Sequence, residues 1–386
     1  MIPAEVVPPD ALEEELHRLD VQIPLEGLSQ ALDAEPRFPR ELFREMGAAR
    51  LLGLTVPVEL GGRGLPVSRA ARLLYRLAFL GGTLPAKLAL QPEFCSLLVA
   101  LGDDEQRKGT LEPLMRGETL VGNQITEPSA GSDFRAIQAT ARRTDSGYRI
   151  EGTKSQAAFA ADAETAIVLL RVPEEGTRAL GSWLVPQELP GVVRRVVGDH
   201  GERWMRRGTV EYHSVDVPVS ARLGGPGTAL SHLRSELSRE RALLAAIYLG
   251  VARRSWEETV EYVARRESFG VALSERQAVS FPLVEDWVRF ESAWRQLEAV
   301  LAALETGAAS DAATALIKWY SGEVALEALE HCVQFHGGMG YSRELPHERR
   351  LRDVRSARVA HGTAEIAHLI GARALWPRAP GQGKAQ

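Results

Sequence analysis

One short charged segment of the chain contains a side chain that could act as a general base. SRER at 238–241 places the carboxylate of Glu240 between Arg239 and Arg241. Burial raises the pKa of a carboxylate, and a carboxylate in a desolvated site can then accept a proton from a substrate. On the residues alone, Glu240 could equally be a solvated residue that forms ion pairs with its two neighbours. The segment therefore supplies a candidate base.

Two loop-like clusters could bind a phosphate or a flat ring. TEPSAGSD at 126–133 offers backbone N–H groups and Ser and Thr hydroxyls, a donor set that suits a planar heterocycle or a phosphate. An ordinary surface connection is the alternative. QFHGGMGY at 334–341 is followed by a basic run, and a glycine helix stop before a solvated charged face explains it as well.

Two further clusters carry cations, an aromatic residue and an imidazole. RRESFG…ERQAVSF at 265–281 contains Arg266, Phe269 and Gln277, and a helix C-terminus with favourable cations is the alternative explanation. AHGTAEI at 360–366 contains His361, and histidine is a side-chain type that can serve as a base near neutral pH.

Composition and charge exclude several classes of protein. The formal net charge of −5 gives no basic field that would favour nucleic acid or an anionic membrane. No window of about 18 consecutive apolar residues predicts a membrane span. The N-terminus MIPAEVVPPDALEEEL lacks a basic start followed by an apolar run, so we expect no secretory signal and a cytoplasmic location. Cys95 and Cys332 lie outside any metal-ligand spacing, and we expect structural thiols and no metal site.

The elements that must position these clusters fall into three zones. From about 10 to 118 apolar residues recur at spacings of three and four, which predicts helices. From about 119 to 225 short β-branched runs between turns predict strands. These runs are 147–153, 165–172, 181–186, 191–198 and 208–218. No strand is followed by GxGxxG and a helix, which argues against a dinucleotide-binding βαβ fold.

Long helices are predicted again from about 228 to 376. The apolar spacing indicates helices over 235–265, 278–306 and 311–334, with Gly307 as a stop and Asp311 as an N-cap. The predicted domains are an N-terminal helical domain at 1–118, a middle β domain at 119–227 and a C-terminal helical bundle at 228–386. The fold class is therefore α+β and mostly α, with a small β-barrel or sandwich in the middle.

In this order the four clusters resemble the acyl-CoA dehydrogenase family of flavoenzymes, from about residue 38 to 376. TEPSAGSD and QFHGGMGY…PHERRLRD are similar to its two signature regions. The resemblance implies a four-helix bundle at the C-terminus and FAD as a non-covalent cofactor. The positions that match FAD contacts are Ile125, Thr126, Ser132, Ala158, Arg266, Phe269, Arg276, Gln277, Gln334, Gly337, Gly338, Thr363 and Glu365.

Four of these positions imply a homodimer or a homotetramer. Arg266, Phe269, Arg276 and Gln277 match residues that reach the FAD adenosine and diphosphate from a neighbouring subunit. The residue types are consistent with that role, because a diphosphate needs a delocalised cation and an aromatic ring can stack on adenine.

The resemblance also implies the reaction, which removes two hydrogens from the α and β carbons of an acyl thioester. The family's base lies directly before Gly-Thr of the fourth cluster, where this chain has His361, or on the first helix of the bundle. There SRER resembles the Glu-Arg pair of the isovaleryl and long-chain members. We therefore predict Glu240 as the base and Ser132, Ser238 and Arg241 as substrate contacts. His361 is the alternative base, or it fills space.

One segment departs from the family. Gln156, Ala157 and Ala158 stand where the family usually has an aromatic residue, Ile, and Thr or Ser. Ala158 cannot donate a hydroxyl hydrogen bond near the flavin N5. This suggests a divergent member whose acyl group rides on CoA or on a carrier protein, with an electron-transfer flavoprotein as the acceptor. Two alternatives stay open: a flavin-dependent monooxygenase on the same fold, and a non-catalytic subunit that supports a catalytic partner chain.

Overall fold

A computed structural model describes residues 11–176 and 179–376. The chain forms two compact units, which divide between Glu236 and Leu237 inside one long helix. Residues 1–10, on which the expectation of no secretory signal partly rests, lie outside the described part. Within the described ranges, no helix is both long enough and apolar enough to cross a membrane.

The first unit begins with helices that bury one apolar face. In the helix Val67–Gly81, Leu73, Leu74 and Leu77 are buried as their spacing predicts. The helices of this unit are α1 (Ala11–Gln22), α2 (Leu25–Ala34), α3 (Arg40–Ala48), α4 (Val67–Gly81), α5 (Thr83–Ala89), α6 (Gln91–Phe94), α7 (Ser96–Leu101), α8 (Asp104–Gln106) and α9 (Glu112–Met115).

An eight-stranded sheet follows the helices of the first unit. Its strands are β1 (Val121–Gln124), β2 (Thr140–Arg143), β3 (Gly147–Ala157), β4 (Thr165–Arg171), β5 (Leu180–Pro186), β6 (Val192–Val196), β7 (Gly208–Pro218) and β8 (Arg222–Leu223). The order is β6-β7-β3-β2-β4-β5-β8, and β1 pairs with β4 in parallel. Tyr148 and Trp183 meet edge to face in the core, with ring centroids 5.2 Å apart. The predicted strand zone is confirmed, and β1 and β2 are additions to it.

The second unit consists of long helices around a central one, Asp311–Phe335. Its elements are the rest of α10 (Thr228–Arg265), β9 (Glu267–Ser268), β10 (Val271–Ala272), α11 (Gln277–Glu305), α12 (Asp311–Phe335), α13 (Gly338–Tyr341), α14 (His347–Val354) and α15 (Ala364–Leu375). Helix α12 packs against α11, α14 and α15. The predicted α+β, mostly α fold class is confirmed, whereas the domain boundaries at 118 and 227 stay predictions.

The start of α12 corrects one prediction. Gly307 follows the end of α11 with φ of 71°, which suits the predicted helix stop. The prediction of Asp311 as the N-cap is wrong, because Ser310 takes that position with extended backbone. The Ser310 Oγ accepts the Ala313 N–H at 3.1 Å. Asp311 is the first helical residue, and its carboxylate instead accepts the Ser238 hydroxyl.

Candidate active site

Glu240 lies on α10 in the second unit, and its carboxylate is buried rather than solvated. The residue is 7% exposed, although its neighbours along the chain are arginines. One carboxylate oxygen, Oε2, lies 3.1 Å from Nε2 of His361. A buried carboxylate without a partner is costly, and the imidazole provides a partner. The two candidate bases of the sequence are therefore neighbours in space.

The segment 360–362, here called the His361 turn, is held by two buried cations. The Lys318 ammonium on α12 donates to the carbonyls of Ala360, at 2.7 Å, and Gly362, at 2.5 Å. The Arg241 Nε on α10 donates to the carbonyl between them, that of His361, at 3.0 Å. Three successive carbonyls are thus fixed by charged donors, which form stronger hydrogen bonds than neutral ones.

The predicted substrate contacts on α10 are already engaged within the unit. The Ser238 Oγ donates to Asp311 Oδ1 at 2.9 Å. Burial lowers the pKa of the Arg241 guanidinium, while Asp311 and Glu240 oppose that shift. The structure therefore brings Ser238, Glu240, Arg241 and His361 together, and the substrate-binding role of Ser238 and Arg241 stays a prediction.

In the first unit the loop after β1 is tied to the end of β3. The fully buried Lys154 ammonium donates to the Ile125 carbonyl at 3.1 Å and to Glu127 Oε1 at 2.8 Å. The Ser155 N–H donates to the Thr126 carbonyl at 2.8 Å. Burial lowers the pKa of Lys154, and Glu127 opposes that shift. These bonds place Ile125 and Thr126 beside the segment that departs from the family, whereas Ser132 is exposed on the loop.

The departing segment is distorted as well as altered in sequence. Gln156 is exposed and has φ of 55°, at an irregularity in the β3–β7 register. Ala158 is half-buried and carries no donor. The next aromatic residue, Phe159, is buried against Phe38 and Trp204, with ring centroids 5.7 and 5.9 Å away. The surface at 156–158 therefore has a flexible amide where a ring is usual.

A cavity of about 420 Å³ in the second unit contains two of the predicted cofactor residues. Thr363 and Glu365 line it at the N-terminus of α15, together with Arg355 and Arg358. The Thr363 Oγ1 caps that helix by accepting the Ile366 N–H. Glu323 also lines the cavity and is paired with Arg358, so Arg355 and the N-terminus of α15 are the groups there that suit an anion.

The remaining predicted cofactor residues are exposed. Phe269 is 96% exposed, and Arg266, Arg276 and Gln277 are exposed near it along the chain. Gln334, Gly337 and Gly338 are exposed at the end of α12. A Cβ added at either glycine would meet no atom within 4 Å, so the backbone there is open to a ligand. Exposed arginines, an aromatic ring and open glycine backbone are features that fit binding of FAD. The lack of a hydroxyl at Ala158 does not fit it.

Two buried lysines support the candidate site residues and lie outside the four sequence clusters. Lys318 lies in the apolar run AATALIKW and is 1% exposed. A single lysine in an apolar helical run indicates a buried cation that must have hydrogen-bond partners, and this signal is visible in the sequence. Lys154 and Glu127 form the corresponding buried pair in the first unit.

Comparisons with known proteins cover nearly the whole chain. Family models described as the N-terminal, middle and C-terminal domains of acyl-CoA dehydrogenase match residues 22–118, 122–215 and 230–376. Benzylmalonyl-CoA dehydrogenase of Aromatoleum aromaticum is 30% identical over 346 residues, which cover 89% of this chain and 91% of that protein. 

Two solved structures share the fold at lower identity. Glutaryl-CoA dehydrogenase from Mycobacterium smegmatis superposes with a TM-score of 0.89 at 22% identity, covering 98% of both chains. The FAD complex of PigA superposes with a TM-score of 0.87 at 24% identity, covering 96% of this chain and 98% of that one.

Proposed function

Because this chain belongs to the acyl-CoA dehydrogenase family, we propose that it is an FAD-dependent oxidoreductase that forms a double bond between the α and β carbons of an acyl thioester. The buried carboxylate of Glu240 is the observation that carries the proposal. The acyl group is carried by CoA or by a carrier protein, and an electron-transfer flavoprotein is the proposed acceptor.

Glu240 acts as the base in this proposal. The Cα–H bond of the thioester breaks, the proton moves to the carboxylate, and its electron pair stays on the substrate. The β hydride then leaves, and FAD, when bound, supplies the acceptor for it. Ser132, Ser238 and Arg241 orient the thioester. The burial of the Glu240 carboxylate supports this role, because proton abstraction from a substrate requires a site from which water is excluded.

The exposed apolar residues support a homo-oligomer. Phe281, Val284 and Val288 lie on one face of α11 and are exposed, as is Phe269 before that helix. Their spacing of three and four residues makes them one stripe. A continuous apolar stripe on a surface favours association. We therefore propose a homodimer or a homotetramer.

The test compares Glu240→Gln with Glu257→Gln. Both changes remove a carboxylate from α10, but Glu257 pairs with Arg253 at the surface. Purified protein is loaded with FAD, and flavin bleaching by a panel of acyl thioesters is followed without oxygen. We expect Glu240→Gln to keep its flavin and to bleach at least about 100-fold more slowly, the usual scale for a lost general base. Near-normal bleaching would remove Glu240 from the role.

The altered segment favours a second candidate, a flavin-dependent monooxygenase. Gln156 is exposed and Ala158 lacks a hydroxyl, so the cover of the flavin differs from that of the family's dehydrogenases. In that case no thioester bleaches the flavin, and turnover requires oxygen and a reductase fed by NAD(P)H. Protein that stays colourless and cannot be loaded with FAD would instead indicate the non-catalytic subunit.

A further inference from the structure

We propose that His361 is a positioning residue for Glu240: it donates a hydrogen bond from Nε2 that fixes one carboxylate oxygen and leaves the other to take the proton. The inference rests on the proposed role of Glu240 as the base. It differs from the two roles that the sequence suggested, in which His361 is the base itself or fills space.

The donor geometry is the first support. The Nε2–Oε2 distance of 3.1 Å is within hydrogen-bond range, and the Glu240 carboxylate can only accept when ionised. The donor in this proposal is a neutral imidazole with its proton on Nε2. Because the carboxylate is buried, this bond restricts its rotation more than a bond in water would.

The backbone of the His361 turn is the second support. His361 has φ of 53° and Gly362 has φ of 97°, both in the left-handed region. A residue with a β-carbon is strained there, so surrounding contacts must hold it. Lys318 and Arg241 supply those contacts through the three carbonyls of the turn. The two cations hold the strained backbone of the turn, and in this conformation the His361 imidazole contacts the Glu240 carboxylate.

Charged groups on two helices face His361 and its turn. Glu240 on α10 contacts the imidazole, Arg241 on α10 and Lys318 on α12 donate to the carbonyls of the turn, and Asp311 on α12 accepts from Ser238 close by on α10. The productive form in this proposal has an ionised Glu240, which can take the proton, and a neutral His361, which donates to it.

Two substitutions separate the hydrogen bond from the backbone. His361→Gln keeps an N–H donor at about the reach of Nε2. His361→Asn tolerates a positive φ better, but its amide is one bond shorter. We expect anaerobic bleaching by His361→Gln to stay within about threefold of the wild type. We expect His361→Asn to be slowed about tenfold at unchanged half-saturation, since one hydrogen bond is worth about that factor. Bleaching at the wild-type rate by both variants would overturn the proposal.

A double-variant cycle provides a readout that packing alone would not change. The double variant His361→Asn/Glu240→Gln should be no slower than Glu240→Gln alone, because His361 acts through Glu240. An independent loss in the double variant would refute the positioning role.

A spectroscopic measurement makes the inference testable even if no thioester reacts. In protein labelled with ¹⁵N-histidine, the ring signals that disappear in His361→Gln belong to His361. They should show a proton on Nε2 and should shift in Glu240→Gln. An unshifted signal would overturn the inference while leaving the family assignment intact. Normal bleaching by Glu240→Gln would instead overturn the proposed function, and the positioning role with it.

Discussion

Replacing Lys318 with methionine should destabilise the second unit and loosen the His361 turn. Methionine keeps an unbranched apolar stem and removes only the ammonium group. In the wild type that group is buried on α12 and donates to the carbonyls of Ala360 and Gly362. After the change, these carbonyls lose their charged donor in a place that water reaches poorly.

The size of the effect follows from two opposing contributions. Each hydrogen bond to a charged group contributes about 1.5–3 kcal/mol, so two bonds give about 3–6 kcal/mol. Removing a buried ammonium also removes its desolvation penalty, which offsets part of that loss. The net destabilisation expected for Lys318→Met is about 2–4 kcal/mol, which is large for a single substitution.

Hydrogen exchange and thermal unfolding measure the two parts of this prediction. Amides of 359–363 should exchange faster in Lys318→Met, and the second unit should unfold at a lower temperature. The control is Arg265→Met, which removes a cation from an exposed pair with Glu261 on α10. Such pairs contribute at most about 0.5 kcal/mol. If Lys318→Met unfolds like the control and its His361 turn exchanges as slowly as in the wild type, the hydrogen bonds from Lys318 do not stabilise the unit.

Two more predictions concern buried or partly buried ion pairs. Lys154→Met should leave the Glu127 carboxylate without its buried cationic partner and destabilise the first unit by about 3–5 kcal/mol, which thermal melting would measure. It should also lower the flavin content of the protein, which visible absorbance would measure. The hydrogen bond from His331 to Asp286 raises the pKa of His331, so its stabilisation is complete below about pH 6.5 and is lost as the pH rises through that raised pKa. The melting temperature of His331→Gln should therefore lie below that of the wild type at pH 6 and approach it at pH 9, and a constant difference would contradict this.

Periodicity predicted the elements whose patterns are long. Strand β7 has the predicted bounds, 208 and 218, although the alternation of buried and exposed side chains shifts by one residue at Ser214, where φ is 52°. Strands β1 and β2 were missed because each has four residues and little alternation, as in VGNQ and TARR. Such short strands are defined by their partners in the sheet, which a local pattern does not contain.

The sequence identified Glu240 but not what surrounds it. Lys318 reaches carbonyls 42 and 44 residues away, and Arg241 reaches one 120 residues away. The N-cap of α12 shows the same limit. Ser310 and Asp311 are both good caps, and the Ser238 hydroxyl, 73 residues away, is hydrogen-bonded to Asp311. Contacts at such separations depend on the packing of helices and not on local preference.

The cost of burying Glu240 bears on the choice between dehydrogenase and monooxygenase. A carboxylate that has no function in a site is most stable at the solvated surface, because burying its charge without a hydrogen-bonding partner is unfavourable. Here it is buried, bonded to an imidazole on a strained turn, and that turn is held by Lys318 and Arg241. In the segment at 156–158, Ala157 is buried in the sheet, but the Gln156 side chain is exposed. Proton abstraction from a substrate accounts for the burial of Glu240. A change in how the flavin is covered accounts only for the exposed Gln156. The balance therefore favours a dehydrogenase whose departure lies in how the flavin is covered.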